Sequence, residues 1–82
     1  MSFNKLIQHN NLKKIRLDKQ LTQLQVAEQL NLNAVDRISK WEAGIKVPSV
    51  INLFRLANIY QVSVETLYPG LATQDVKSVS RE

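Results

Sequence analysis

Residues 22–42 read TQLQVAEQLNLNAVDRISKWE, and most of the fold follows from this stretch. In its first half, Val26, Ala27 and Leu30 are spaced at i, i+1 and i+4, which places them on one face of an α-helix. Thr22 stands just before this segment and is a residue type that commonly caps a helix N-terminus. The spacing therefore predicts a helix that begins after Thr22 and continues to about residue 31.

The second half predicts another short helix, over about residues 34–42, after a tight turn. Ile38 and Trp41 lie three residues apart and form its buried face. Asn33, followed three residues later by Asp36, has the pattern of a capping box at the helix start. Two short helices joined by a tight turn, the second one polar on its outer face, are typical of a helix-turn-helix.

Apolar residues recur at helical spacing on both sides of this stretch, without the alternation that strands show. A first helix is predicted over residues 12–19, with Asn11 or Asn10 as its cap. Gly44 adopts left-handed conformations easily and marks a helix end, and Pro48 suits the first turn of the next helix. The apolar stripe of that fourth helix consists of Val50, Leu53, Phe54, Ala57 and Tyr60.

A fifth short helix is predicted over residues 64–68, with Ser63 as its cap. The sequence thus predicts an all-α domain in which five short helices surround one core. Its expected organisation is an N-terminal extension at 1–10, a helix-turn-helix domain at 11–70 and a flexible C-terminal tail at 71–82.

The composition argues against several other classes of protein. The chain has 82 residues, of which 44% are apolar and 22% charged, and it contains no Cys. No apolar run approaches the roughly 18 residues that a membrane span requires, and thiolate metal sites and disulfides need Cys. His9 is the only His and the acidic residues are scattered, so we expect no enzymatic activity, no cofactor and no metal ion. A reducing cytoplasm is the expected location.

The charge balance favours an anionic partner. Eleven Lys and Arg against seven Asp and Glu give a net charge of +4, and the whole excess lies within residues 1–70. Charge alone does not distinguish a nucleic acid from an acidic protein or a membrane surface.

A series of short motifs runs through most of the chain in a characteristic order. These motifs are Leu21-Thr22-Gln23, Ala27-Glu28, Ile38-Ser39, Trp41-Glu42, Gly44, Pro48-Ser49, Leu56-Ala57 and Val62-Ser63. Together they resemble the Cro/C1-type (xenobiotic-response-element-type, lambda-repressor-like) helix-turn-helix family of phage and bacterial transcriptional regulators, over residues 11–69. One departure lies in the turn: Glu42 follows Leu30 by one position more than is usual in the family, and Asn31 stands where glycine is usual.

The resemblance implies that the helix at about residues 34–42 enters the DNA major groove, while the preceding helix crosses the phosphate backbone. The base-contact candidates are Lys40, Arg37, Asp36, Val35 and Ala34. The phosphate-contact candidates are Gln23, Thr22, Asn33, Ser39, Lys46 and Ser49. Arg37 and Lys40 are three residues apart and share a helix face, and either could donate to guanine O6 and N7.

Several candidates have a structural alternative as well. Arg37 and Lys40 could contact only phosphate or solvent. Asp36 and Asn33 are expected first of all to cap their own helix. Val35 could pack on a thymine methyl group or in the protein core.

The resemblance also implies that Arg16 pairs with Glu42 and thereby sets the angle of the recognition helix. Trp41 is expected in the core and not on the DNA. Leu24 and Ile51 are apolar at positions where the family usually has polar residues, which favours a partner surface.

The expected function is sequence-specific binding of double-stranded DNA by a transcriptional regulator, with repression by promoter occlusion as its expected form. Because one such domain buries only about 600–1,000 Å² on DNA, we expect a weak homodimer, formed in solution or only on DNA. Helix four or five and the loop between them would form its interface. Two alternatives stay open: an antitoxin or partner subunit of a toxin–antitoxin or mobile-element system, and a protein-interaction module that has lost DNA binding. No membrane partner is expected.

Overall fold

The computed structural model of the protein describes residues 9–72, and every regular element in that range is helical. The elements are α1 (Leu12–Asp18), α2 (Gln23–Gln29), α3 (Asp36–Glu42), α4 (Val50–Tyr60), α5 (Val64–Leu67) and a 3-10 turn at Pro69–Ala72. The predicted all-α class is confirmed. None of these helices is long and apolar enough to cross a membrane. The predicted N-terminal extension and C-terminal tail lie outside the described residues, apart from residues 9–10 and 71–72.

One hydrophobic core joins all five helices. Its buried members are Leu12, Ile15, Val26, Ala27, Leu30, Ile38, Trp41, Leu56, Ala57, Tyr60, Leu67 and Tyr68. Full burial of a Leu or Ile side chain contributes roughly 1.5–3 kcal/mol through the area removed from water. Ile38 and Trp41 lie in this core as their spacing predicts, so the inner face of α3 is held against the rest of the domain.

Hydroxyl side chains cap three of the helices, and two of these caps, at Thr22 and Ser63, were predicted. The Thr22 hydroxyl accepts a hydrogen bond from the backbone N–H of Gln25, and the Gln25 side chain accepts one from the backbone N–H of Thr22. This reciprocal pair is a capping box, which satisfies two backbone donors at the start of α2. Ser49 and Ser63 cap α4 and α5 through their hydroxyls.

Both asparagines before α1 connect it to other parts of the domain. Asn11 occupies the N-cap position, but its side chain makes no capping bond and its amide donates to the carbonyl of Thr66 at 3.0 Å. Oδ1 of Asn10 accepts from the backbone N–H of Leu12 at 3.0 Å, and the Asn10 amide donates to the carbonyl of Trp41 at 3.3 Å. The start of α1 is therefore linked to α3 and α5.

Left-handed residues end the first four helices. The φ angle is 61° at Gln20, 60° at Asn31, 79° at Gly44 and 57° at Gln61. The prediction for Gly44 is confirmed, and Asn31 shows why asparagine can replace the usual glycine, since Asn tolerates this region better than most residues. In each case the next backbone N–H bonds back to a carbonyl of the helix that has just ended. These turns end α1 and α2 one and two residues before their predicted boundaries, and α5 also ends one residue early.

The start of α3 differs from the prediction. The helix begins at Asp36 and not near residue 34, and its N-cap is Val35, whose side chain makes no capping bond. The predicted capping of α3 by Asn33 and Asp36 is therefore wrong. Val35 packs partly against the core, and this contact places the helix start directly after it, without a polar cap.

The predictions for Pro48 and for the apolar stripe of α4 are wrong in part. Pro48 lies outside the helix, ahead of the Ser49 N-cap. Val50 and Phe54 are 68% and 61% exposed. The face of α4 that packs on the core is made of Leu53, Leu56, Ala57 and Tyr60. These residues are spaced at i, i+3, i+4 and i+7, which is the spacing of one helix face. Leu56 was not in the predicted stripe but belongs to this face, whereas Val50 and Phe54 do not.

Candidate nucleic-acid interface

The outer face of α3 presents basic side chains, whereas its inner face is buried. Ile38 is 1% exposed and Trp41 is 4% exposed. Arg37 is exposed and Lys40 is half-buried. Ile38 and Trp41 hold α3 against the core, so Arg37 and Lys40 are directed outward by rigid packing. A recognition helix needs this arrangement.

The basic side chains of α3 make only weak ionic contacts with the rest of the described residues. Nζ of Lys40 lies 3.3 Å from Oδ2 of Asp36, one helical turn earlier, and the two side chains are 43% and 71% exposed. An exposed pair of this kind contributes about 0–1 kcal/mol, so a ligand can replace it at little cost. Arg37 makes no ion pair with any residue in the range 9–72.

A cleft of about 350 Å³ brings further polar residues beside these two. Its walls come from α3, the following loop and the first turn of α4, and consist of Asp36, Arg37, Lys40, Trp41, Lys46, Val47, Ser49 and Asn52. Lys46 and Ser49, two predicted phosphate contacts, thus lie next to Arg37 and Lys40. No local pattern in the sequence predicts a role for Asn52, because its position depends on how α4 packs beside α3.

A second cleft, of about 430 Å³, lies at the N-terminal end of α3. Its lining residues are Asn31, Leu32, Asn33, Ala34, Asp36 and Arg37. Asn33, Ala34 and Asp36 are exposed, whereas Val35 is partly buried against the core. The structure therefore leaves Ala34, just before α3, and Asp36, Arg37 and Lys40, on α3, accessible, and it turns Val35 partly inward.

The start of α2 lies against the end of α3. Nε2 of Gln23 donates a hydrogen bond to Oε1 of Glu42 at 3.1 Å. The Thr22 hydroxyl is engaged in the cap of its own helix, and Ser39 is exposed on α3. Sequence reasoning missed the contact of Gln23 with Glu42, since no local pattern relates two residues in different helices.

Arg16 and Glu42 form the predicted ion pair at the same junction. Nε of Arg16 lies 2.6 Å from Oε2 of Glu42, and Nη2 donates to Oε1 at 3.1 Å. Nη1 donates to the carbonyl of Leu21 at 2.9 Å. The hydrogen bond with Glu42 raises the pKa of the Arg16 guanidinium above its ordinary value, against the desolvation that lowers it. A two-point contact of this kind restricts the orientation of α1 relative to the end of α3.

Comparison with known proteins agrees with this geometry. The sequence pattern of the family described as helix-turn-helix matches residues 12–67, from α1 to α5. The chain belongs to the Cro/C1-type helix-turn-helix family. In this helix-turn-helix protein, α2 and α3 are the two helices of the motif, and α3 stands in the position of the recognition helix.

A curated relative of this helix-turn-helix protein is the HTH-type transcriptional activator BcrR of Enterococcus faecalis. The two are 36% identical over 70 residues, which make up 85% of this chain and 31% of the relative. The chain therefore spans less than a third of that relative's length. No solved structure matches the chain at a significant level.

The chemistry offered by this site is hydrogen-bond donation and positive charge. Arg37, Lys40 and Lys46 supply cationic donors around one cleft, and Ser49 and Asn52 add neutral polar groups. No group of three or more residues suited to hold a metal ion occurs within residues 9–72. These donors can bind the hydrogen-bond acceptors of DNA, which are the phosphate oxygens and guanine O6 and N7 in the major groove.

Proposed function

We propose that this protein is a sequence-specific transcriptional regulator that places α3 in the major groove of double-stranded DNA. One observation carries the proposal: Ile38 and Trp41 are buried on one side of α3, and Arg37 and Lys40 are accessible on the other. Membership of the helix-turn-helix family supports it independently. The role of α3 is then to present rigidly oriented donors to the edges of the bases.

Arg37 and Lys40 are proposed to read bases directly. Each can donate to guanine O6 and N7, and a good contact of this type contributes about 1–3 kcal/mol of discrimination. The ion pair of Lys40 with Asp36 is exposed and weak, so Lys40 can exchange it for a base or phosphate. Asp36 begins the same helix and Ala34 and Val35 directly precede it, and apolar contact or hydrogen bonding of these residues to bases would add to the readout.

The proposed phosphate contacts surround α3 on both sides. Lys46 and Ser49 line the cleft beside Arg37 and Lys40. Gln23 stands at the start of α2, where free backbone N–H groups favour an anion. The remaining candidates are Thr22, Asn33 and Ser39. Phosphate contacts fix the register of the protein on DNA, and base contacts then select the sequence.

We further propose that the regulator acts in the cytoplasm, as a repressor that occludes a promoter. The relative from Enterococcus faecalis is named as an activator, so the direction of regulation needs its own measurement. A reporter gene placed behind the selected DNA site decides it. Lower expression in the presence of the protein is the expected result, and higher expression would contradict repression.

A weak homodimer is proposed to form through α4 or α5 and the loop between them. A single domain buries only about 600–1,000 Å² on DNA, and two domains on half-sites one helical turn apart double that contact. Sedimentation in the presence of the selected duplex tests the proposal. Two copies per duplex are expected, and a strict monomer on DNA would contradict the dimer.

The central experiment is the selection of a random duplex library on the purified protein, at low and at moderate salt. A motif of two half-sites about one helical turn apart is expected. Arg37→Ala/Lys40→Ala should abolish its enrichment, while Trp41 fluorescence reports an intact fold. Lys13→Ala/Lys14→Ala removes the same charge from the exposed side of α1, and we expect this matched control to retain the motif.

The other outcomes distinguish the alternatives. Salt-sensitive retention without a motif would indicate phosphate binding only, since that contribution is independent of sequence. No retention at either salt would contradict the regulator and favour a protein-interaction module. If the Arg37→Ala/Lys40→Ala variant keeps the motif, these residues do not read bases. A toxin–antitoxin or mobile-element subunit would also yield a motif, and neighbouring genes would identify it.

A further inference from the structure

The first turn of α4 carries an exposed apolar patch, which we call the α4 patch and define as Val50, Ile51 and Phe54. These side chains are 68%, 65% and 61% exposed. Phe54 lies three residues after Ile51 and four after Val50, so all three are neighbours on one helix surface. Contiguous apolar surface of this kind on a small domain commonly marks the site of another molecule.

The chain segment that carries the α4 patch has charges of a single sign. Residues 43–61 contain Lys46 and Arg55 and have no Asp or Glu. Arg55 is exposed and stands four residues after Ile51, which places it beside the patch on the same helix surface. The surface is therefore apolar with a basic margin.

This charge argues against a second copy of the chain on the α4 patch itself, and the homodimer proposed above would use the rest of α4, or α5, and the loop between them. In a two-fold contact the same surface meets itself, so each copy would bring its own basic margin to the interface. No carboxylate within residues 43–61 is available to compensate for it. Juxtaposed like charges oppose association.

The α4 patch also faces away from most of the proposed DNA surface. Asn52 is the residue of the first turn of α4 that lines the cleft beside Arg37 and Lys40. Residues of an α-helix are about 100° apart around its axis, so Val50 and Phe54 lie roughly on the opposite side from Asn52. A molecule on the α4 patch therefore leaves α3 accessible.

We propose that the α4 patch binds an acidic amphipathic helix of another protein. The apolar face of that helix covers Val50, Ile51 and Phe54, and carboxylates on its flank meet Arg55. Recognition through anchors at helical spacing, with complementary charge beside them, is an established way to bind a helical segment. This inference does not depend on DNA binding, since none of the patch residues belongs to the proposed DNA contacts.

The test is selection of a random peptide library, displayed on phage, against the purified protein. Enriched peptides should carry apolar residues at helical spacing and a net negative charge. Their affinity should fall about tenfold or more for Ile51→Asn/Phe54→Asn and be reduced by Arg55→Gln. Leu17→Asn changes another accessible apolar side chain, 54% exposed on α1, and this control should bind as the unchanged protein does.

Four results would overturn the proposal. The first is no enrichment, and the second is peptides without an acidic excess or without sensitivity to Ile51→Asn/Phe54→Asn. The third is a dimer in sedimentation that this variant abolishes, which would identify a second copy as the occupant. The fourth is binding to phosphatidylglycerol vesicles that the same variant abolishes, which would identify a lipid surface. Because the altered side chains are exposed, circular dichroism should report an unchanged fold in every variant.

Discussion

Gln23 and Glu42 join the two helices of the helix-turn-helix through one hydrogen bond, from Nε2 of Gln23 to Oε1 of Glu42 at 3.1 Å. The same carboxylate accepts two hydrogen bonds from Arg16 on α1. Three helices therefore meet at a single side chain, at the C-terminal end of α3. This junction orients the recognition helix relative to the helix that is proposed to contact phosphate.

Replacing the central carboxylate should destabilise the domain. Glu42→Gln leaves the Arg16 guanidinium without its counter-charge, and the two side chains are only 8% and 5% exposed. Removal of one partner of a buried ion pair costs about 3–5 kcal/mol in free energy of unfolding. Urea denaturation followed by Trp41 fluorescence measures the change, and the exposed Glu28→Gln on α2 serves as the control. Unchanged stability together with unchanged DNA affinity would refute a structural role for the pair.

Gln23→Ala separates the structural from the DNA-binding contribution of this residue. Loss of its hydrogen bond to Glu42 should lower the free energy of unfolding by about 1 kcal/mol. If Gln23 also contacts phosphate, DNA affinity should fall by a similar factor for the selected duplex and for a scrambled one. Fluorescence anisotropy with both duplexes measures this, with the exposed Gln29→Ala as the control. A loss restricted to the selected duplex would contradict a phosphate contact.

Tyr68→Phe should stabilise the protein. The Tyr68 hydroxyl is buried and has no hydrogen-bond partner among the described residues. A buried polar group without a partner costs about 1–3 kcal/mol, so its removal should raise the free energy of unfolding by about 1 kcal/mol. Thermal unfolding by circular dichroism measures the change. A lower melting temperature would mean that the hydroxyl has a partner in solution.

Stability should fall in alkaline solution. Burial raises the pKa of Tyr60 and of Tyr68 to about 12 from the ordinary value of 10.0. Between these values the unfolded chain releases tyrosine protons that the folded chain retains, so the unfolded state is favoured as pH rises. The stabilisation is complete below pH 10 and is lost as the pH approaches 12. Urea denaturation between pH 10 and pH 12 should show that the free energy of unfolding falls less steeply for Tyr68→Phe than for the unchanged protein. An equal fall would contradict a raised pKa at Tyr68.

The left-handed residue at the end of α4 is a position for stabilisation. Gln61 has φ of 57°, a conformation that brings Cβ close to the following carbonyl and costs roughly 1–2 kcal/mol. Gln61→Gly removes that cost but adds freedom to the unfolded chain, so a net gain of about 0.5–1 kcal/mol is expected. Asn31→Gly is the comparison, with a smaller expected gain because Asn tolerates the region. Calorimetry measures the stability of both variants. Destabilisation by Gln61→Gly would contradict the cost assigned to the left-handed conformation.

Much of the fold could be read from local patterns. The caps at Thr22 and Ser63 and the helix end at Gly44 were predicted, because each depends on the residue itself or on bonds to positions a few residues away. Of the site, the outward position of Arg37 and Lys40 followed from helical spacing alone, whereas the Arg16 pair with Glu42 required the family resemblance.

Packing between distant elements settled the rest. Val35, which packs partly against the core, takes the N-cap position of α3 in place of the expected Asn33. Periodicity alone assigns Val50 and Phe54 to a buried apolar stripe of α4. Both are exposed, because the face of α4 that contains Leu56 is the one that packs on the core. Gln23 finds Glu42 only after α2 and α3 have packed. Periodicity states which residues share a face of a helix, and only the position of the neighbouring helices determines which face is covered.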